Sequence, residues 1–271
     1  MSEPAIKSAE PLLLRDDRDG IATLTLNRGP QRNALSEGLM AALTDELTLI
    51  AKDRNVRVVV IAANGPAFSA GHDLKELTAH RTDADRGRAY FQKLMKQCST
   101  LMQTIVRLPK PVIARVHGIA TAAGCQLVAS CDLAVAANTA KFATPGVNIG
   151  LFCSTPMVAL SRNVHRKHAM EMLLTGDMID AARAAEIGLI NKSVPLEQLD
   201  DAVWGLARDI ASKSSLTLSI GKEAFYEQLE KGLGDAYDYA SEVMVKNMLA
   251  RDAEEGISAF IEKREPTWED R

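Results

Sequence analysis

The sequence lacks several features that would assign it to a common functional class. Its 271 residues carry a formal net charge of −3, whereas general nucleic-acid binders usually present a basic face. No apolar run approaches the ~18 residues of a membrane-spanning helix. The first ten residues carry neither a secretory signal pattern nor the Arg-rich pattern of a transit peptide. These absences predict a cytoplasmic protein with no nucleic-acid partner and no membrane span.

Cysteine usage argues against a structural metal. The four cysteines, Cys98, Cys125, Cys131 and Cys153, form no C-x-x-C pair, so their spacing does not favour a zinc site and we expect no metal. Reduced thiols in or near a core are the simpler interpretation. The 46% hydrophobic and 25% charged content is ordinary for a globular protein.

The N-terminal part alternates strand and helix patterns. Residues 12–14 and 21–26, joined by a polar segment that ends in Gly20, predict a β-hairpin. Ser36 is a suitable N-cap for the helix that follows. Further apolar runs predict three buried strands and one helix: 58–63, 111–116 and 133–136, and 89–106. Such alternation indicates right-handed βαβ crossovers, hence an α/β protein built on a parallel sheet.

The pattern changes after residue 157. Strand signals nearly vanish, and amphipathic helices follow around 165–175, 181–188, 196–212, 216–231 and 237–249. We therefore divide the chain into a βα core, 1–195, and a helical C-terminal region, 196–271. The helices of this region are too apolar for a solvated appendage, so we expect them to pack on a neighbouring subunit.

Two runs of small residues bring bare backbone close to any ligand: Phe68-Ser-Ala-Gly-His-Asp-Leu-Lys75 and His117-Gly-Ile-Ala-Thr-Ala-Ala-Gly-Cys-Gln126. Gly71 permits a sharp turn that frees the next N–H, and the helix after Gly124 begins with N–H groups that lack intrahelical partners. Two such groups aimed at one carbonyl oxygen would form an oxyanion hole, each worth ~3 kcal/mol of barrier. Ordinary strand-to-helix turns are the competing interpretation.

These loops occur with four further motifs: Asn33-Ala-Leu-Ser36, Met172-Leu-Leu-Thr-Gly-Asp177, Gly188-Leu-Ile-Asn191 and Ala259-Phe-Ile-Glu-Lys-Arg264. From about residue 13 to 264, in order and spacing, the chain resembles the crotonase superfamily, the enoyl-CoA hydratase/isomerase family. The resemblance implies a spiral of repeated ββα units with an α-helical C-terminal region, assembled as a homotrimer or hexamer. It also implies a role in fatty acid metabolism, with coenzyme A bound only as part of the substrate thioester and no permanent cofactor.

The resemblance also implies roles for individual residues. The backbone N–H groups of His72 and Ala123 would hold the thioester carbonyl of an acyl-CoA. The coenzyme A moiety would contact Arg32, Ala34, Ala70, Asp73, Leu74 and Lys75. Phe260 and Lys263 match a C-terminal pair that relatives contribute to a neighbouring subunit's site. For the basic residues among these, a solvated surface charge is the alternative.

The chain departs from the family where hydratases keep their acids. Gln126 and Gly146 occupy the positions of two glutamates that activate water, and Ser154 occupies a third carboxylate position used by some relatives. An amide cannot take a proton from water, and losing one acid or base typically costs ~10²–10⁴ in rate. Restoring both glutamates is expected to raise hydration about 10²-fold or more if the backbone is in register.

Other groups leave the chemistry open. His72 could act as an acid or base, Ser154 and Thr155 could bind a water, and Cys125 or Cys153 could be nucleophiles, although no base adjoins either thiol. Asp132 is interpreted as a structural cap. Three hypotheses remain: a lyase or isomerase that stabilises a thioester enolate with weak or absent hydratase activity, a non-catalytic acyl-CoA binding or scaffold protein, and a thioesterase or decarboxylase.

Overall fold

A computed structural model describes residues 10–271 of the chain; the first nine residues, which include most of the segment tested above for a targeting pattern, lie outside it. In the described part, the strands are β1 Leu13–Arg18, β2 Ile21–Leu26, β3 Val58–Ala63, β4 Ala67–Ser69, β5 Val112–Val116, β6 Ile119–Thr121, β7 Leu133–Ala137, β8 Lys141–Ala143, β9 Ile179–Asp180 and β10 Lys192–Val194. The helices are α1 Glu37–Lys52, α2 Leu74–Ala79, α3 Arg88–Arg107, α4 Ala123–Ser130, α5 Pro156–Asn163, α6 Arg166–Thr175, α7 Ala181–Glu186, α8 Leu199–Ala211, α9 Ser215–Gln228, α10 Leu233–Met248 and α11 Arg251–Glu262.

The larger sheet has six strands in the order β1-β2-β3-β5-β7-β10. Apart from the antiparallel β1–β2 hairpin, its neighbouring strands run parallel. Every residue of β3 is buried, because Val59 and Ile61 face a core shared with α1 and α3, while Val58 and Val60 face a core shared with α8. The prediction of an α/β fold with a parallel sheet is confirmed.

A second sheet of short strands, in the order β4-β6-β8-β9, was not predicted. Strands of two or three residues are too short to show a period of two, so the sequence pattern missed them. Each of β3, β5 and β7 passes directly to a strand of this small sheet and then to a helix. This repetition is the ββα spiral that the resemblance implied.

The hairpin is tighter than the sequence suggested. Strand β1 continues through the charged residues to Arg18, and only Asp19 and Gly20, with φ of 53° and 75°, make the turn. Two central residues of positive φ match the tight turns that hairpins favour. A run of charged residues resembles a turn in the sequence. Here these residues belong to β1, an exposed edge strand, on which charged side chains are common.

A buried ion pair attaches the C-terminal region to the strands. The carboxylate of Asp132 accepts hydrogen bonds from the Val112 N–H at 2.7 Å, the Lys222 ammonium at 2.6 Å and the Tyr226 hydroxyl at 2.9 Å. Lys222 also donates to the carbonyls of Ile105 and Lys110. The structural role predicted for Asp132 is confirmed, and its partners on α9 lie about ninety residues away in the chain.

All described strands lie before the boundary placed at residue 195, but this boundary does not separate two cores. Helix α8 buries Leu199, Val203 and Ala207 against the large sheet. In contrast, neither α9 nor α10 has a buried residue in the single chain. Helix α11 was not predicted. Among the described residues, no helix has both the length and the apolar character needed to cross a membrane.

Candidate functional site

The two small-residue loops meet where β4 and β6 end. A Cβ atom placed on Gly71, whose φ is +90°, would lie 2.9 Å from the Ala122 Cβ and 3.3 Å from the Ala123 nitrogen. A Cβ atom on Gly124 would lie 2.2 Å from the carbonyl oxygen of Ser69. The distances of 2.9 Å and 2.2 Å are shorter than side-chain contacts allow, so only glycine permits this approach of the two backbones.

The first loop is fixed by backbone pairing with the β2–α1 connection. The Ala70 N–H donates to the Arg32 carbonyl at 3.0 Å, and the Leu35 N–H donates to the Gly71 carbonyl at 2.7 Å. Leu35 and His72 form a parallel bridge. In a parallel bridge the residues flanking His72 bond to the partner, so the N–H of His72 itself points the other way. It has no hydrogen-bond partner among residues 10–271.

The second loop turns at a strained residue. Ala122 has φ 51° and ψ −119°, a conformation that glycine usually adopts and that typically costs ~1–3 kcal/mol for another residue. Its N–H donates to the Ala143 carbonyl at 2.9 Å, and its carbonyl accepts from the Gln126 N–H at 3.0 Å. This geometry leaves the N–H of Ala123 at the start of α4, where no intrahelical partner exists.

Arg28, which no sequence motif marks, stabilises the first loop. Its guanidinium donates to the Ala34 carbonyl at 2.8 Å and to the Asp73 carboxylate at 3.1 Å. Asp73 also caps α2 by accepting from the Lys75 N–H at 3.0 Å. Burial would raise the pKa of Asp73, but Arg28 and the Lys75 N–H hold it below its usual value. Nothing in the spacing of residues 28 and 73 signals this pair.

The remaining predicted contact residues lie at two places. Ala34 is half-buried, and Arg32, Ala70, Leu74 and Lys75 are exposed along the rim of the first loop. Phe260 and Lys263 are separate from this rim in the fold. They lie on and at the end of α11, which packs against α9 and α10, and Phe260 is 86% exposed.

The structure fills the space around the substituted acid positions. Gln126 is buried, and its Oε1 accepts a hydrogen bond from the Cys98 thiol at 3.8 Å. At Gly146, a Cβ atom would lie 2.5 Å from the Leu151 carbonyl oxygen and 2.9 Å from the Cys153 sulfur. The hydroxyl of the exposed Ser154 donates to the Phe152 carbonyl at 3.4 Å. Position 146 therefore has no room for any larger side chain without a backbone shift.

The other candidate groups are uncharged or unpartnered. Both ring nitrogens of His72 are buried, and neither makes a hydrogen bond of ordinary geometry with the described residues. Burial lowers the pKa of the imidazole more than the nearby Leu35 backbone raises it, so the ring is neutral at pH 7. Burial raises the pKa of Cys125 to about 12, so it remains a thiol. Within residues 10–271, no group of three or more His, Cys, Asp or Glu side chains is placed to hold a metal ion.

Comparison with known proteins decides the family. The profile of the enoyl-CoA hydratase/isomerase family matches residues 16–271. The chain belongs to this family, within the crotonase superfamily. It is 48% identical over 268 residues to rat enoyl-CoA hydratase domain-containing protein 3, mitochondrial, covering 98% of this chain and 88% of that protein. It is 33% identical over 258 residues to the mitochondrial enoyl-CoA hydratase of Pongo abelii, covering 95% and 86%.

Solved structures of the enoyl-CoA hydratase/isomerase family share the fold. A Mycobacterium smegmatis enoyl-CoA hydratase superposes with a TM-score of 0.91 at 53% identity, covering 96% of this chain and 99% of that one. Human enoyl-CoA hydratase domain-containing protein 3 superposes with a TM-score of 0.90 at 48% identity, covering 95% and 100%. These likenesses confirm the recognised family and the crotonase-like spiral.

The contact at Gly124 gives a direct test of the loop geometry. Gly124→Ala places a methyl group against the Ser69 backbone, and we expect it to lower the free energy of unfolding by ~1–3 kcal/mol or more. Gly205→Ala is the matched control, because a Cβ atom there meets nothing within 4 Å; in helix α8 it should be neutral or stabilising by up to ~1 kcal/mol. Urea unfolding measures both. Equal stability of the two variants would contradict the described approach of the loops.

Proposed function

We propose that this chain binds an acyl-CoA thioester and stabilises the enolate of its thioester carbonyl, with weak or absent hydratase activity. The observation that carries the proposal is the contact between the two loops. It supports the proposal because each loop carries one backbone N–H group, that of His72 or of Ala123, that lacks a protein partner among the described residues. Such preorganised donors stabilise negative charge on a carbonyl oxygen.

Weak hydration follows from the groups near this oxyanion hole. Gln126 and Ser154 cannot act as carboxylate bases, and Gly146 has no side chain. The proposal therefore places the chain in the lyase or isomerase class of its family, with an atypical route for proton transfer. The neutral imidazole of His72 is the first candidate for that transfer.

Two alternatives use the same hole. The loss of carboxylates at positions 126, 146 and 154 favours a non-catalytic acyl-CoA binding or scaffold protein. A thioesterase or decarboxylase needs the oxyanion hole but less acid and base machinery. Turnover assays with enoyl-, malonyl- and β-hydroxyacyl-CoA separate these possibilities, since binding without any product supports the scaffold alone.

The coenzyme A moiety is proposed to lie along the first loop. Its phosphates would meet the exposed side chains of Arg32 and Lys75, while Ala34, Ala70, Asp73 and Leu74 line the approach to the hole. The backbone hydrogen bond that the Ala70 N–H donates to the Arg32 carbonyl supports this placement, because it holds these two parts of the rim together. Asp73 would act through its ion pair with Arg28, since both carboxylate oxygens are engaged.

Acyl-CoA esters are expected to bind and to raise thermal stability. A ligand that binds only the native state adds ~2.7 kcal/mol at a hundredfold over its dissociation constant. Arg32→Glu and Lys75→Glu should weaken binding in a salt-dependent way, because their proposed partners are phosphates. Lys96→Glu, which reverses another exposed charge on α3, should not. Calorimetric titration at two salt concentrations measures the affinity of each variant. Unchanged affinity in both Arg32→Glu and Lys75→Glu would refute this placement of coenzyme A.

Assembly into a homotrimer or hexamer is also proposed. The C-terminal helices expose large apolar side chains, among them Leu233 at 79%, Leu249 at 83% and Phe260 at 86%, and contiguous apolar surface usually marks an interface. Light scattering at micromolar concentration should give three or six copies. Phe260→Ser should weaken assembly, whereas Leu49→Ser, which replaces a 60% exposed leucine on α1, should not. A monomeric wild type would also refute a site shared through Phe260 and Lys263.

The compartment remains a prediction. A cytoplasmic location is the expectation, whereas several relatives are named mitochondrial proteins. Fractionation of the cells that make this chain distinguishes the two, and recovery with the mitochondrial matrix would overturn the cytoplasmic assignment.

A further inference from the structure

The amide of Gln126 has a fixed orientation. Its Oε1 atom accepts from the Sγ of Cys98, 3.8 Å away on α3, and both residues are buried. Burial raises the pKa of Cys98 to about 12, so the sulfur keeps the proton that it donates to Oε1. The amide oxygen of Gln126 therefore faces Cys98 on α3, and its NH₂ group points away from Cys98.

The NH₂ group of Gln126 is left for a ligand. Nε2 makes no hydrogen bond with any residue from Glu10 to Arg271. Ala123 and Gln126 are separated by three positions in α4, so they share one face of the helix. Side chains of a helix lean toward its N-terminus, so the side chain of Gln126 extends back toward the first turn of α4, where the backbone donor of Ala123 lies.

The groups named here around the proposed acyl site are uncharged. Cys98, Cys125 and Cys153 are protonated thiols, because burial raises the pKa of each. Gly146 adds no side chain, and its neighbours are the Leu151 carbonyl and the Cys153 sulfur. A ligand carboxylate placed here would be buried without a counter-charge, at high cost, whereas a neutral carbonyl would not.

We propose that the site selects acyl-CoA thioesters that carry a neutral carbonyl at the β-carbon, the 3-oxoacyl class. The inference rests on the proposed function: the thioester oxygen takes the N–H groups of His72 and Ala123, and the β-carbonyl oxygen takes Nε2 of Gln126. A glutamate at position 126 would present an acceptor to that oxygen, so glutamine changes which acyl group fits. Cys98 is a positioning residue that acts through the orientation of the amide.

Matched thioesters test the selectivity. Acetoacetyl-CoA and butyryl-CoA differ only in the β-carbonyl oxygen, and calorimetric titration of the intact protein compares their dissociation constants. Wild type should bind acetoacetyl-CoA on the order of 10-fold more tightly, as expected for one well-placed buried hydrogen bond. Gln126→Leu should reduce the preference to about twofold or less, and Gln126→Glu should reverse it. Gln126→Met is the alternative if the leucine variant does not fold.

Variants of Cys98 test the positioning role. Cys98→Ser keeps a donor and should retain the preference, whereas Cys98→Ala frees the amide to rotate and should lower it several-fold while butyryl-CoA affinity stays unchanged. A purely structural role would weaken both ligands together. The role assigned to the thiol is contradicted if both Cys98 variants lose the preference for acetoacetyl-CoA. It is also contradicted if both variants keep that preference.

The possible failures are distinguishable. If wild type binds no CoA thioester, the proposed function itself fails. If it binds acetoacetyl-CoA and butyryl-CoA equally, or if Gln126→Leu keeps the preference, only the selectivity inference fails. Malonyl-CoA is the third ligand to compare, because it has a carboxylate where acetoacetyl-CoA has its β-carbonyl. If malonyl-CoA binds more tightly than acetoacetyl-CoA, the assignment of a neutral carbonyl is wrong.

Discussion

Crotonyl-CoA hydration by the wild-type protein is expected to be at least about 10²-fold slower than by a relative that has both carboxylates, since each lost acid or base typically costs ~10²–10⁴. The amide of Gln126 cannot deprotonate water, and position 146 has no side chain. The mitochondrial hydratase of Pongo abelii, 33% identical to this chain, is the positive control in the same assay. Hydration at an ordinary enzymatic rate would mean that another group, His72 first, performs the proton transfers.

The structure restricts what restored acids can achieve. On sequence grounds alone, Gln126→Glu with Gly146→Glu should raise hydration about 10²-fold or more if the backbone is in register. However, a Cβ atom at position 146 would lie 2.5 Å from the Leu151 carbonyl oxygen, so the backbone does not accept a glutamate there. The double variant is therefore expected to gain little over Gln126→Glu and to be less stable by ~1–3 kcal/mol.

Steady-state hydration and urea unfolding of both single variants and the double variant check this expectation. Gly146→Ala is the steric control, because it introduces the clash without a carboxylate and should lose a similar amount of stability. A large synergistic gain in hydration with no loss of stability would show that the loop from Leu151 to Cys153 moves aside easily.

Asp132→Asn should lower the free energy of unfolding by ~3–5 kcal/mol, the usual cost of leaving one member of a buried ion pair unpaired. The side chains of Asp132 and Lys222 are 16% and 7% exposed, and the pair joins α9 to the end of α4 and the start of β5. Lys222→Met should cost a similar amount. Tyr226→Phe removes one hydrogen bond and should cost ~1 kcal/mol.

Lys231→Met is the matched control for the buried pair. Lys231, just beyond the end of α9, pairs with Glu227 on that helix. Their side chains are 29% and 55% exposed, and such surface pairs contribute at most ~1 kcal/mol. Urea unfolding at one fixed protein concentration compares the variants, because assembly would make stability concentration-dependent. A cost for Asp132→Asn no larger than for Lys231→Met would show that the network does not hold α9 in place.

The sequence alone determined the features that depend on neighbours along the chain. The alternating and fully apolar runs predicted β2, β3, β5 and β7, since burial on one or both faces of a sheet dictates those patterns. Ser36 was identified as the N-cap of α1, and in the structure its side chain accepts from the Leu39 N–H. The small-residue loops and the absence of carboxylates at positions 126, 146 and 154 were equally visible.

Only the tertiary structure decided which side chains meet. Arg28 and Asp73 are 45 residues apart, Cys98 and Gln126 are 28 apart, and Asp132 and Lys222 are 90 apart. No local pattern links such pairs, because their contacts arise from how helices and strands pack rather than from spacing along one element. For the same reason the sequence showed that Gly146 lacks a carboxylate, while only packing against Leu151 and Cys153 shows that the space for one is already filled.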